Sequence, residues 1–203
     1  MKAIAGRLAA ILPFFLLLAV PDIAVAQYGG STARSATGSP STIDLARVQP
    51  GTPFNAATTG SVAAALRQAS DFCKGLGQKE YVLDCLGYQY WEVQRQLPTE
   101  GDYAVVRREI QQAAGELETL ARQNRSREQR PARLSAGGTA RTSRPITPIA
   151  RQNLSALGDQ GAAIVGNAQV RLLRSASVSG GDQAQLRKIA QAMDSGALLL
   201  RSH

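Results

Sequence analysis

The sequence predicts an all-α protein: a disulfide-stapled helical hairpin plus a third helix, then a C-terminal helical hairpin, with a disordered N-terminal tether and a basic linker. Three observations predict it. Apolar residues recur every three or four positions in five separate windows. Gly and Pro residues separate those windows. The two cysteines, Cys73 and Cys85, fall in the first two windows, on either side of a glycine-containing turn.

Residues 1–26 have the three-part pattern of a cleavable export signal. Lys2 and Arg7 precede an apolar run from Leu8 to Val20, broken only by Pro13, and Ala24-Val25-Ala26 supplies the small residues of a cleavage site. The run is shorter than the roughly 20 residues a membrane-spanning helix needs. The expected product begins at Gln27 and is periplasmic or secreted, with no transmembrane anchor left after cleavage. Two cysteines in an exported chain predict one disulfide rather than reactive thiols, and their spacing is not the C-x-x-C of a redox enzyme. The closed loop is expected to contribute about 3 kcal/mol.

Residues 27–60 are rich in Ser, Thr, Ala, Gly and Pro, so a flexible tether is expected. Ile43, Leu45 and Val48 could form a short docking segment within it. The first helix is expected over 61–74, with Val62, Leu66, Ala69 and Phe72–Cys73 on one face and Ser61 as its cap. The second is expected over 79–97, with a stripe of Val82, Leu86, Tyr90, Val93 and Leu97, and Pro98 ending it. The third is expected over 100–124, capped by Thr99. Its apolar positions Tyr103, Val106, Ile110, Ala113, Leu117 and Leu120 are spaced like a coiled-coil seam. These three helices form the stapled segment 61–124.

Residues 125–147 break the helical pattern at Pro131, Gly137, Gly138 and Pro145. The charge concentrates here. From Arg122 to Arg151 there are eight Arg, no Lys and one acid, Glu128, in a chain whose net charge is +8. A flexible arginine-rich linker is expected. The remaining residues, 148–203, read as a helical hairpin. Its first helix is expected to open at Thr147–Pro148, with Ala150, Leu154, Leu157, Gly161, Ile164 and Ala168 as a seam. Gly158, Ala162 and Gly166 form a separate small-residue row suited to tight helix packing. Asp182 is the expected cap of the last helix, whose face is Leu186, Ile189–Ala190, Met193 and Ala197. The tripeptide Arg-Gln-Asn occurs at both 122–124 and 151–153, a match no better than chance.

No catalytic constellation is visible. His203 is the one histidine and the last residue, so triads and multi-histidine zinc sites have no basis, and no nucleotide-binding glycine motif occurs in context. Neither cofactor nor metal is expected. Asp84 and Glu92 form a possible carboxylate pair, but eight helical residues put their backbones about 12 Å apart. The face of helix two opposite its stripe carries Tyr81, Asp84, Tyr88, Trp91 and Arg95. Such a set could grip a sugar or peptide, or it could simply pack against neighbours if helix two is central. The arginines Arg125, Arg127, Arg130, Arg133, Arg141 and Arg144 are candidates for binding a polyanion, and guanidinium forks suit carboxylates and phosphates. No aromatic residue interleaves with them, and an exported protein does not meet cytosolic nucleic acid, so nucleic acid is not an expected partner.

The seams of helices three and four could pair within one chain or between chains. The leading expectation is a non-enzymatic helical interaction protein of the cell envelope that binds a protein partner, or itself, through its helical surface. An alternative is binding of an anionic envelope component, lipid head groups or a cell-wall polymer, through the arginine linker. A further alternative is a small carbohydrate-active enzyme using Asp84 or Glu92.

Overall fold

The computed structural model describes Leu45 and residues 48–137, 140–175 and 183–202, all within one compact unit. Among them are five helices: α1 (Ala56–Gly75), α2 (Val82–Gln94), α3 (Tyr103–Gln123), α4 (Leu154–Ser175) and α5 (Gln183–Arg201). Single 3-10 turns at Lys79–Tyr81 and Arg151–Asn153 lead into α2 and α4. The expected export signal, residues 27–44 of the expected tether, the expected Asp182 cap and His203 lie outside the described residues. No helix among the described residues is long and apolar enough to cross a membrane.

Each helix packs on the next in sequence, and α5 returns to α1, so the five close into a ring. The stripe predicted for helix two is buried at all five positions, as are Val62, Leu66, Ala69 and Cys73 of α1. Cys73 and Cys85 form the disulfide that staples α1 to α2. The seam of α3 is buried from Tyr103 to Leu117, with Leu120 partly covered.

Those seams are therefore spent within the chain. Of the two arrangements open to these seams, pairing within the chain is the one found: α3 packs on both α2 and α4. The two predicted helical segments share one core rather than being joined by a free linker.

Small residues set the closest approaches. A Cβ on Gly158 would stand 2.3 Å from the Leu200 carbonyl oxygen, so α4 and α5 cross backbone to backbone there. One on Gly196 would stand 2.5 Å from the Tyr90 hydroxyl, which donates to the Met193 carbonyl at 3.4 Å. Of the predicted small-residue row, Gly158 and Ala162 are buried at the α4 contact face, whereas a Cβ on Gly166 would meet the Gln169 side-chain oxygen at 4.0 Å, an ordinary contact. The buried face of α4 also takes in Gly161, Val165 and Leu172, while Leu154 and Ile164 are only partly buried. Polar struts join other neighbours. Glu109 of α3 accepts from Arg171 Nε of α4 at 2.6 Å, and the Ser70 and Ser195 hydroxyls meet at 2.9 Å between α1 and α5.

Three boundaries differ from expectation. The first helix starts at Ala56, because Asn55 accepts from the Thr58 amide, and Ser61 lies inside the helix. The third starts at Tyr103, and the Asp102 carboxylate accepts from the Phe54 amide instead of capping its own helix. The fourth starts later than Thr147–Pro148, since both residues belong to an extended segment.

Two stretches expected to be loose are docked. Leu45 and Val48 are buried, and their amides donate to the Gln96 side-chain and backbone carbonyls. Phe54 packs edge-on against Tyr103 at 4.6 Å. So the part of the predicted tether from Leu45 onward is a strap on the bundle, because three apolar side chains find hydrophobic cover despite polar surroundings. The predicted linker is likewise held. Leu134, Ile146 and Ile149 are buried, and isolated antiparallel bridges pair Arg125 with Ile149 and Ala132 with Ile146. A short ribbon, β1 (Ser135–Ala136) with β2 (Ala140–Arg141), extends it outward, with Gly137 in the left-handed region at φ +64°.

Gly158→Ala is expected to destabilise the bundle by about 1–3 kcal/mol, because a backbone carbonyl must move. Gly166→Ala is expected to be neutral or stabilising by up to about 1 kcal/mol. Urea denaturation of the two variants checks the pair. Equal effects would contradict the backbone crossing.

Candidate functional site

The face of α2 opposite its apolar stripe carries the residues singled out from sequence, and the structure covers most of it. The cover is the basic stretch 125–149, not a further helix. Tyr81 is buried and donates to the Arg130 carbonyl at 3.0 Å. Tyr88 is buried, accepts from the Ser143 amide at 3.1 Å and meets the Ser143 hydroxyl at 2.9 Å. Asp84 is wholly buried and receives a two-pronged bond from Arg144, Nη2 to Oδ1 at 2.9 Å and Nη1 to Oδ2 at 3.0 Å. Its Oδ2 also accepts from the Thr147 amide. The Arg144 guanidinium lies over the Tyr88 ring at 5.3 Å, with Glu118 of α3 3.9 Å away.

A buried carboxylate is costly unless its lone pairs are filled. Here three donors fill them, two from a charged fork whose geometry matches the carboxylate. Burial works against the Arg144 charge. The Asp84 bond and the charges of Asp84 and Glu118 outweigh it and hold the guanidinium's pKa above its ordinary value.

Glu80, at the 3-10 turn before α2, is a second anchor that sequence reasoning missed. Its carbonyl accepts from the Ile149 amide at 2.9 Å, and its carboxylate pairs with Arg151 and lies 3.5 Å from the Gln129 side-chain nitrogen. Its own backbone amide lowers the Glu80 pKa most, burial opposes, and Arg151 and Gln129 add to the lowering. Burial, with the neighbouring Glu80 charge, raises the Tyr81 phenol above its ordinary value.

The predicted ligand face therefore divides. Tyr81, Asp84 and Tyr88 hold the basic stretch in place, as packing partners of a central helix. Trp91 and Arg95 remain outside, Trp91 43 % exposed with the Arg95 guanidinium 4.5 Å from its ring centroid. Asp84 and Glu92 do not form a working pair. Asp84 is sealed and fully bonded, and Glu92 lies 3.8 Å from Arg95.

The candidate polyanion residues divide too. Arg144 turns inward to Asp84. Arg125, Arg127, Arg130, Arg133 and Arg141 are exposed. Arg133 Nε donates to the Ser143 carbonyl, and among the described residues none of the five forms an ion pair. Two adjoining clefts open beside Arg125, Arg127 and Arg130. One, of about 360 Å³, lies between residues 123–129 and Ile149–Asn153. The other, of about 200 Å³, lies across the shared Arg125–Arg127 wall and reaches Arg130 and Thr147–Pro148. No group of three His, Cys, Asp or Glu among the described residues could hold a metal ion.

Compared with known proteins, the chain matches no family model, no curated protein and no solved structure.

Asp84→Asn is expected to cost about 3 kcal/mol in urea denaturation, the lower end for breaking a buried pair, because Arg144 keeps 34 % of its side chain in solvent. A loss below about 0.5 kcal/mol, typical of a surface change, would mean the pair does not hold the segment. For Glu80 the folded pKa lies below the unfolded one. Its stabilisation is therefore present above the unfolded value near 4.5 and lost as pH falls through the folded value. Glu80→Gln should flatten that acid limb of a stability–pH curve. An unchanged limb would count against this anchor.

Proposed function

We propose that this is an exported, non-enzymatic protein that binds an anionic polymer of the cell envelope through an arginine-bearing face. The single observation that carries the reading is how residues 125–149 are held. Their apolar and acceptor-seeking groups point to α2, leaving Arg125, Arg127, Arg130, Arg133 and Arg141 outward without acidic partners. Like charges kept on one ordered segment repel one another, and an anionic ligand relieves that cost. A held arginine also loses less entropy on binding than one on a free strand.

Export rests on the N-terminal pattern of residues 1–26, and a disulfide accords with an oxidising compartment. The rival reading, partnership through the seams of α3 and α4, is less favoured because the α3 seam from Tyr103 to Leu117 and Leu157, Gly161 and Ala168 of α4 are buried in the bundle.

The test is affinity for polygalacturonate and for anionic lipid vesicles at increasing salt. Binding is expected to weaken steeply as salt screens the arginines. Replacing Arg125, Arg127, Arg130, Arg133 and Arg141 by Gln should abolish it with little change in thermal stability, since all five are exposed. Unaltered binding by the folded variant would refute the proposal.

A further inference from the structure

The larger of the two clefts says more about the ligand, on the assumption that the arginine face binds an anion at all. We infer that the cleft between the end of α3 and the start of α4 seats one sugar unit bearing an anionic group. Its volume, about 360 Å³, is within the range of small-ligand sites, roughly 300–1,000 Å³.

The two Arg-Gln-Asn tripeptides meet here. Gln123 and Asn124 form one wall, and Arg151, Gln152 and Asn153 form the other. The walls are clamped by the backbone. Ser126 N donates to the Pro148 carbonyl at 2.7 Å, Ala150 N to the Asn124 carbonyl at 3.4 Å, and Arg125 bridges to Ile149. The Ser126 hydroxyl accepts from the amides of Glu128 and Gln129 and fixes the turn between them.

The groups left for a ligand are of two kinds. Arg125 and Arg127 offer full guanidinium forks. Arg151 spends Nε on Glu80, and its two terminal nitrogens make no hydrogen bond among the described residues. These suit a carboxylate or phosphate. The rest are amides. Asn124 spends its Nδ2 on the Leu120 carbonyl at 2.9 Å and keeps an acceptor oxygen, and Gln152 and Asn153 offer both donors and acceptors. Amides of this kind pair with hydroxyls.

Glu128, the one acid in the lining, sharpens the choice. Its carboxylate accepts from a hydroxyl but repels a ligand charged at every position. The lining has no aromatic residue and little apolar surface, so it gives a peptide's side chains nothing to bury against. A sugar with one anionic group and several hydroxyls fits this mixture better than polyphosphate or an acidic peptide. The second cleft, sharing the Arg125–Arg127 wall, would take a neighbouring unit of the same polymer.

The experiment is a titration of the isotope-labelled protein, followed by amide chemical shifts, with trigalacturonate, glucose 6-phosphate, maltotriose, polyphosphate and polyglutamate. Trigalacturonate or glucose 6-phosphate is expected to shift amides at 123–129 and 150–153. The two arms tell a carboxylated from a phosphorylated source. Maltotriose should bind far more weakly. The double substitution Gln152→Ala and Asn153→Ala, which removes no charge, should weaken the anionic sugar about tenfold by removing its hydroxyl partners. Polyphosphate or polyglutamate binding as tightly as the anionic sugars would overturn the inference. So would anionic sugars that bind the double variant unchanged while the Arg125, Arg127, Arg130, Arg133, Arg141 to Gln variant fails, although the broader polyanion reading would then survive. No binding of any anionic probe would overturn both.

Discussion

The buried carboxylate of Asp84 organises the side of the molecule that carries the charge. It sits in the first turn of α2, where a helix N-terminus favours an anion. Its two oxygens take three donors, all from one short stretch, Arg144 and Thr147. Once that stretch is fixed, alternation follows from extended geometry. Ile146 turns to the core, and Ser143 reaches Tyr88. Arg141 and Arg133 project outward from a ribbon that ends at Gly137. Without the carboxylate, the Arg144 charge would have only Glu118 nearby, and both tyrosine hydroxyls would lose a defined partner surface.

The same helix organises the opposite side. Val82, Leu86, Tyr90 and Val93 line the core, and Cys85 ties α2 covalently to α1. A helix buried on nearly every face must be met closely by its neighbours, and glycine makes this possible. A Cβ on Gly87 would lie 3.1 Å from the Ala114 carbonyl of α3, and Gly196 of α5 passes directly over the Tyr90 hydroxyl. Ring closure through α5 and α1 therefore depends on small residues in α2, α4 and α5 as much as on large ones.

The helices were legible because their apolar residues are dense and periodic. The Cys73–Cys85 staple was legible from count, spacing and compartment. What the sequence hid was sparse. In 125–149 the inward residues Leu134, Ile146 and Ile149 are scattered among arginines, and among the described residues of 45–54 Leu45, Val48 and Phe54 face the bundle. Composition averaged over a window registers the polar majority, whereas among the described residues docking is decided by a few side chains and the hydrogen bonds beside them. The predicted early starts of α3 and α4 failed for a related reason: Asp102, Thr147 and Pro148 bond to other elements. Of the candidate site, the aromatic and acidic residues of α2 and the arginines were both visible, but not that the first set holds the second. Glu80 gave no signal, and the repeated Arg-Gln-Asn was too short to weigh until the fold set its two copies on facing walls.

The central claim is that the arginine stretch is a folded part of the bundle rather than a linker. Native-state hydrogen exchange tests it most directly. The amides of Ser126, Ala132, Thr142, Ile146 and Ile149 donate to backbone carbonyls of this segment or of Glu80. The account predicts that they exchange slowly and as a group, with protection approaching that of the helices. Exchange at the rate of an exposed loop, while α1 to α5 stay protected, would contradict it.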